Sequence, residues 1–344
     1  MNTDREKLSP KKVSGRDMKT LIFTRKDIEK VLTPPIANKT VEKAFKAYGL
    51  GEADMPAKSY LYFERGDLRS MPAYIHGQGL NIAGIKSVTV HPENAVYNLP
   101  TVIAVIILAD PANGFPLAIL DGTYLTSLRT GAAGALAVKL LSRKNSRIAG
   151  FVGCGTQART QLACILEVRK LKAVKIWQYD VKDKIALRFR DWVKKTYKLD
   201  AMISPAIDEV TTNVDILVTT TPSRRPLVNK VSPGTHINAI GADAAGKEEI
   251  NPKILRQAKV VIDDWAQASH SGEINVPVRK KMLRKEDIYA GLGDIVAGKV
   301  KGRTKDEEIT LFDSTGLAIQ DVSCAYTVYR ALKNKKGIKR IELF

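Results

Sequence analysis

The stretch FVGCGTQART, residues 151–160, limits the fold more than any other part of the chain. Gly153-Cys154-Gly155-Thr156-Gln157-Ala158 follows a short apolar run, RIAGFV, and opens a helical pattern, QARTQLACILEVRK. A G-x-G-x-x-A turn between a strand and a helix is the phosphate cradle of a dinucleotide-binding unit. Gly153 permits the tight turn, Gly155 lets backbone approach a pyrophosphate, and Ala158 keeps the helix close to the sheet. The free N–H groups at the helix start, from Thr156 and Gln157 onward, face the phosphates.

The chain beyond this turn keeps an alternating pattern. AVKIWQYD reads as a strand and DKIALRFRDWVKKTY as a helix; VDILVTTT, THINAIGA and AKVVIDD read as further strands, with NPKILRQA a helix between the last two. Strands alternating with helices predict a parallel, doubly wound Rossmann sheet over 143–316. Asp180 closes the second strand, where a carboxylate takes the ribose hydroxyls and repels a 2′-phosphate, so NAD is expected over NADP. Lys182 and Lys184 lie close by and blunt that preference.

The first half reads as mixed α/β text. Residues 1–20 form a basic lead-in, expected to be flexible. DIEKVLTPPIANKTVEKAFKAYGLGE is helical and broken at Pro34-Pro35. KSYLYFERGDLRSMPAYI suggests two strands around a Gly-Asp turn. GIKSVTVHPE and LPTVIAVIILADPANGFPLAIL give more strands, the last two joined by DPANG. TYLTSLRTGAAGALAVKLLSRK is a long helix whose small residues invite close packing, and STGLAIQDVSCAYTVYRALKNK is a helix expected to end the chain. The run VIAVIILA at 102–109 is far too short for the ~20 residues that span a membrane and reads as a buried strand.

Composition narrows the function classes. The polar start lacks the apolar centre of a secretion signal. Three cysteines, Cys154, Cys164 and Cys324, make neither a disulfide framework nor a metal-ligand spacing, which fits a reducing cytoplasm. The net charge of +19 is spread among acids, and no finger, basic zipper or RNA-stacking motif accompanies it. A basic surface that attracts anionic substrates and cofactors is expected, not a specific nucleic-acid partner.

Several longer stretches carry a resemblance. LRTGAAGALAVKLL, GCGTQA, NAIGADAAGKEEI and TLFDSTGLAIQD occur in this order in the ornithine cyclodeaminase/μ-crystallin family, and the likeness runs from about Leu21 to the end. MPAKSYLYF, GDLRSMPA, TGAAGALAVKLLSRKNS and VTTTPSRRPLV resemble its archaeal-type alanine dehydrogenase branch. The resemblance implies an α/β protein of two domains: a Rossmann NAD-binding domain at 143–316, and a mixed α/β substrate and dimerisation domain built from 21–142 plus 317–344. It also implies a homodimer, and no metal.

The same resemblance assigns roles. An amino-acid dehydrogenase must hold a carboxylate, give up a hydride to nicotinamide and move protons, and a carboxylate calls for Arg or Lys. Arg69, Lys86 and Arg129 are the candidates. Asp243, after a strand and before a turn, is the expected acid/base that activates water, and the presence of both Lys86 and Asp243 argues against a non-catalytic binding protein; Lys247 would help set the charge of Asp243. Ala245 stands where relatives often carry proline. Ser314 and Gly316 would lie beside the nicotinamide. Thr101, Thr130 and Thr220 complete the cofactor set, to which Arg129 also belongs, and Thr130 is placed near a helix start where it could meet pyrophosphate.

The substrate turns on one segment, Asp67-Leu68-Arg69-Ser70-Met71-Pro72. Ornithine cyclodeaminases carry a Glu where Arg69 stands. A cation there repels a distal ammonium and attracts a carboxylate. An NAD-dependent L-alanine dehydrogenase is therefore expected; ornithine cyclodeaminase or a ketimine reductase of the μ-crystallin type is the alternative. Asp67, two residues away, could serve the ammonium instead and keeps the ornithine reading open.

Overall fold

The computed structural model describes residues 18–177 and 184–344. Two eight-stranded sheets organise them. The first runs in the order 339–341, 20–23, 116–121, 102–109, 82–90, 66–75 and 53–54, with 59–63 also pairing to 66–75. Its neighbours are antiparallel except 20–23 beside 116–121. From Leu68 to Ile75 burial alternates residue by residue, the mark of a strand with one covered face. Helices Pro34–Gly49 and Ala318–Leu332 pack together, and the second lies on strands 66–75 and 82–90. The two prolines start the helix Pro34–Gly49 after the short helix Arg25–Glu29, as fixed φ and a missing N–H allow at a first turn.

The second sheet is parallel throughout, in the order 200–203, 173–177, 148–152, 216–219, 236–239, 310–313, 259–262 and 290–291. Strands Ile216–Thr219, His236–Ala239 and Thr310–Asp313 are buried at every residue, since helices cover both faces. The direction of winding reverses between 148–152 and 216–219, and the crevice at the carboxyl ends of those two strands is where such sheets bind ligands. Helix Thr123–Leu141 joins the halves. Its small residues let it lie against helix Thr156–Leu166, where Gln161 Nε2 donates to the Thr130 carbonyl at 2.9 Å.

Several expectations are corrected. The hairpin turns at Glu64-Arg65, with Phe63 paired to Gly66, so Gly66 and Asp67 are strand residues rather than the turn. VIAVIILA is half exposed: Val105 and Ile107 stand 44% and 38% open on the outer face of the sheet. The last helix stops at Leu332, and a strand, Lys339–Ile341, follows because it can pair with Thr20–Phe23. Thr20 is fully buried strand rather than flexible lead-in. Among the described residues no helix is long and apolar enough to cross a membrane.

Candidate functional site

The glycine turn lies at the winding reversal. Gly153 adopts φ +97°, and a side chain there would strike Thr220, whose N–H bonds to the Val152 carbonyl at 2.9 Å. Gly155 is different: its backbone conformation suits any residue, and a Cβ placed on it would point into open space. That space is the room a pyrophosphate needs against the backbone. Helix Thr156–Leu166 begins there with no side-chain cap and no acid in its first turn, so its N–H groups and dipole are left for an anion. Thr156 is exposed at its first position, Gln157 is half-buried, and Ala158 is buried against the sheet. Across the crevice Ser314 is buried, and its hydroxyl has no hydrogen-bond partner. An open backbone cradle and an unused buried hydroxyl fit a dinucleotide.

Beside the crevice the two halves bring four cations together. Strand pairing sets Met71 opposite Lys86 and Arg69 opposite Val88, so Arg69 and Lys86 share the covered face of the first sheet. Lys86 is 1% exposed and its Nζ lies 2.7 Å from Asp321. Loss of water, then the charge of Arg129, push the Lys86 ammonium down to about 7 against the pull of Asp321. Arg129, from helix Thr123–Leu141, gives Nε to Asp321 at 2.9 Å and Nη1 to Gln320 at 2.9 Å. Gly316, at φ +77°, carries no side chain because the Arg129 guanidinium occupies that place. The fourth cation is Lys58, whose Nζ donates to the Thr315 carbonyl at 2.6 Å. Desolvation lowers it to about 8, with Arg69 and Arg129 adding to the effect.

Asp243 follows strand His236–Ala239 and precedes a turn at 244–247. Lys247 donates to its Oδ1 at 2.6 Å, and Arg69 Nη1 reaches Oδ2 at 3.2 Å and the Asp243 carbonyl at 3.1 Å. Desolvation pulls this carboxyl up, but Lys247 and Arg69 together outweigh it and hold it below the ordinary range. Lys86 pairs with Asp321, and Asp243 with Lys247 and Arg69. Asp67 is not free either, since it binds Arg69 Nε at 2.7 Å and Nη2 at 3.0 Å. The acidic loop partner is Asp263, which accepts from the N–H groups of Thr315 and Gly316 at 2.6 and 2.7 Å.

The structure thus brings Arg69, Lys86, Arg129, Asp243 and Gly316 into one cluster, next to the cradle of Gly153, Gly155 and Thr220. Thr130 sits in the third turn of its helix, not near its start, and its hydroxyl is spent on the Thr126 carbonyl at 2.8 Å. Thr101 is exposed before strand Val102–Ala109, where its carbonyl takes the His91 N–H. Asp180 and Lys182 lie outside the described residues. Sequence reading passed over Lys58, Gln320, Asp321 and Asp263. Asp321 left a trace, an acid inside the apolar helix text AIQDVSCA; Lys58 left none, being one lysine among many.

The family model described as ornithine cyclodeaminase/mu-crystallin matches residues 18–336. Alanine dehydrogenase of Archaeoglobus fulgidus is 50% identical over 329 residues, 95% of this chain and 99% of that protein. A solved archaeal alanine dehydrogenase dimer with bound NAD superposes with a TM-score of 0.90 at 49% identity, covering 95% of this chain and all of that one. The Thermococcus litoralis Delta(1)-pyrroline-2-carboxylate reductase, in complex with NADH and L-proline, gives 0.89 at 34% identity over 94% of this chain and all of that one.

Proposed function

The chain belongs to the ornithine cyclodeaminase/mu-crystallin family, and from that premise we propose that it is an NAD-dependent L-alanine dehydrogenase. L-alanine, NAD⁺ and water give pyruvate, ammonium, NADH and a proton, reversibly. The observation that carries the reading is the charge of the site. Asp67 and Asp243, the acids that face Arg69, are already paired to cations, which leaves neither for the distal ammonium of a diamino acid. Lys86 and Arg129 share the one carboxylate of Asp321, so the pair keeps a net positive charge for a substrate carboxylate, with Lys58 beside it. The Archaeoglobus fulgidus enzyme supports the same substrate.

Bound NAD⁺ supplies the hydride acceptor. Gly153, Gly155, Thr156, Gln157, Ala158, Thr220 and Ser314 would hold it, with Asp180 on the adenosine ribose. Lys86 and Arg129, fixed by Asp321 and Gln320, bind the substrate carboxylate and polarise the carbonyl or imine. Asp243, kept ionised by Lys247 and Arg69, takes a proton from the water that attacks the imine. The same reading divides the chain into 21–142 plus 317–344 and 143–316, in line with the two sheets, and includes a homodimer like the solved archaeal relative. A cytoplasmic site of action goes with it.

The test is an NADH-oxidation screen with ammonia against pyruvate, glyoxylate and cyclic imino acids, with a parallel assay for proline from ornithine. Pyruvate should give the highest kcat/KM. Faster cyclisation of ornithine, or faster reduction of a cyclic imine, overturns the alanine assignment.

A further inference from the structure

The guanidinium of Arg69 has five N–H groups, and four of them are committed: Nε and Nη2 to the two oxygens of Asp67, and Nη1 to the carboxylate and the carbonyl of Asp243. Asp67 and Arg69 lie two apart on one strand and so share its face. Tyr60, the cross-strand partner of Arg69, sets its ring 5.5 Å from the guanidinium carbon. The Arg69 side chain is only 7% exposed and that of Asp67 14%. Beyond Arg69 the chain of contacts continues through Asp243 to Lys247, so charges alternate and the four groups sum to zero.

We propose that Asp67 is a positioning residue that acts through Arg69 on the acid/base Asp243, a role that rests on the dehydrogenase reading above. A long arginine side chain holds one orientation only when something locks it. The parallel two-bond grip of Asp67 does so at one edge of the guanidinium. The other edge is then aimed at Oδ2 of Asp243, while Lys247 holds Oδ1. Asp243 is thereby fixed at both oxygens, ionised and oriented. Asp67 itself need not touch substrate. The same grip fills Asp67, which closes this end of the site to a second ammonium group.

A double-mutant cycle tests the idea with Asp67→Asn, Arg69→Met and the double variant. Each is compared by kcat, KM and NADH binding, the last followed by fluorescence. Asp67→Asn keeps the shape of the side chain, and it is expected to lower kcat roughly tenfold with NADH affinity unchanged. Its acid limb in the pH profile should move up, because a loosened Arg69 holds Asp243 ionised less well. In the Arg69→Met background the same change should alter kcat by less than about twofold. Asp67→Glu, which keeps a carboxylate, should recover part of the loss. Effects that multiply in the double variant, or an acid limb that moves down as for a purely electrostatic role, overturn the proposal. The cycle is run on whichever substrate the wild type reduces fastest. A wild type that ignores pyruvate defeats the alanine reading and leaves the coupling to be measured.

Discussion

Lys86 carries the most unusual charge in the site. Its ammonium is buried, faces Asp321 and Arg129, and titrates at about 7, well below an ordinary lysine. Below that value it is protonated and can bind a carboxylate or donate a proton; above it both capacities fade. kcat/KM for pyruvate, which reports the free enzyme, should therefore fall as pH rises through about 7. Lys86→Arg keeps the charge at all pH values, so this limb should vanish even though the variant is slower. A limb that persists in Lys86→Arg belongs to another group, with Lys58, at about 8, the next candidate. Asp243→Asn addresses the partner. It should keep NADH binding and lose about 100-fold or more in turnover, the usual range for a general base. Near-normal turnover would move proton handling elsewhere. These residues differ in how readable they are. Arg69, Lys86, Arg129 and Asp243 stand out by residue type within motif text. Lys58 does not, and the pairing of Lys86 with Asp321 joins positions more than two hundred residues apart, which only tertiary packing decides.

At the scale of elements, the second half of the chain is plainly written because buried parallel strands are continuous apolar runs. RIAGFV, VDILVTTT and THINAIGA each hold a strand of the sheet. The small pair Arg224–Val228 and Glu248–Ile250 is not legible, since its text is short and charged and its pairing is set by loops around it. In the first half VIAVIILA looks like core but serves two faces, and apolar content alone does not separate a covered face from an open one. The glycine turn is the element that sequence and structure describe alike, and it gives a clean test. Gly155→Ala adds a Cβ into open space at a backbone conformation alanine accepts, so the folded protein should be unaffected. The same Cβ occupies the room of the pyrophosphate. NADH affinity measured by fluorescence is expected to drop roughly tenfold or more while the thermal midpoint without cofactor stays unchanged. Unchanged affinity would mean that the phosphates lie elsewhere.

The whole molecule presents one feature that its own core does not explain. Leu61 and Phe63 at the hairpin, Val96, Tyr97 and Leu99 before the next strand, and Val105 and Ile107 on strand Val102–Ala109 are all exposed. Strand 102–109 is interior to its sheet, flanked by 82–90 and 116–121, so Val105 and Ile107 lie on an open face and not at an edge. A solvated antiparallel face is normally polar, and a contiguous apolar patch marks an association surface. The net charge of +19 elsewhere keeps copies apart, which makes an apolar face the natural place for them to meet. A second copy of the chain docked there would bury both patches in a two-fold, self-complementary contact. In sedimentation equilibrium the wild type should run at twice 37.8 kDa. Ile107→Glu puts a charge at the centre of that contact, where it would be desolvated without a partner, and should bring the mass down toward 37.8 kDa with the fold intact by circular dichroism. A wild type that sediments as a monomer, or an Ile107→Glu variant that stays dimeric, would place the contact on another face.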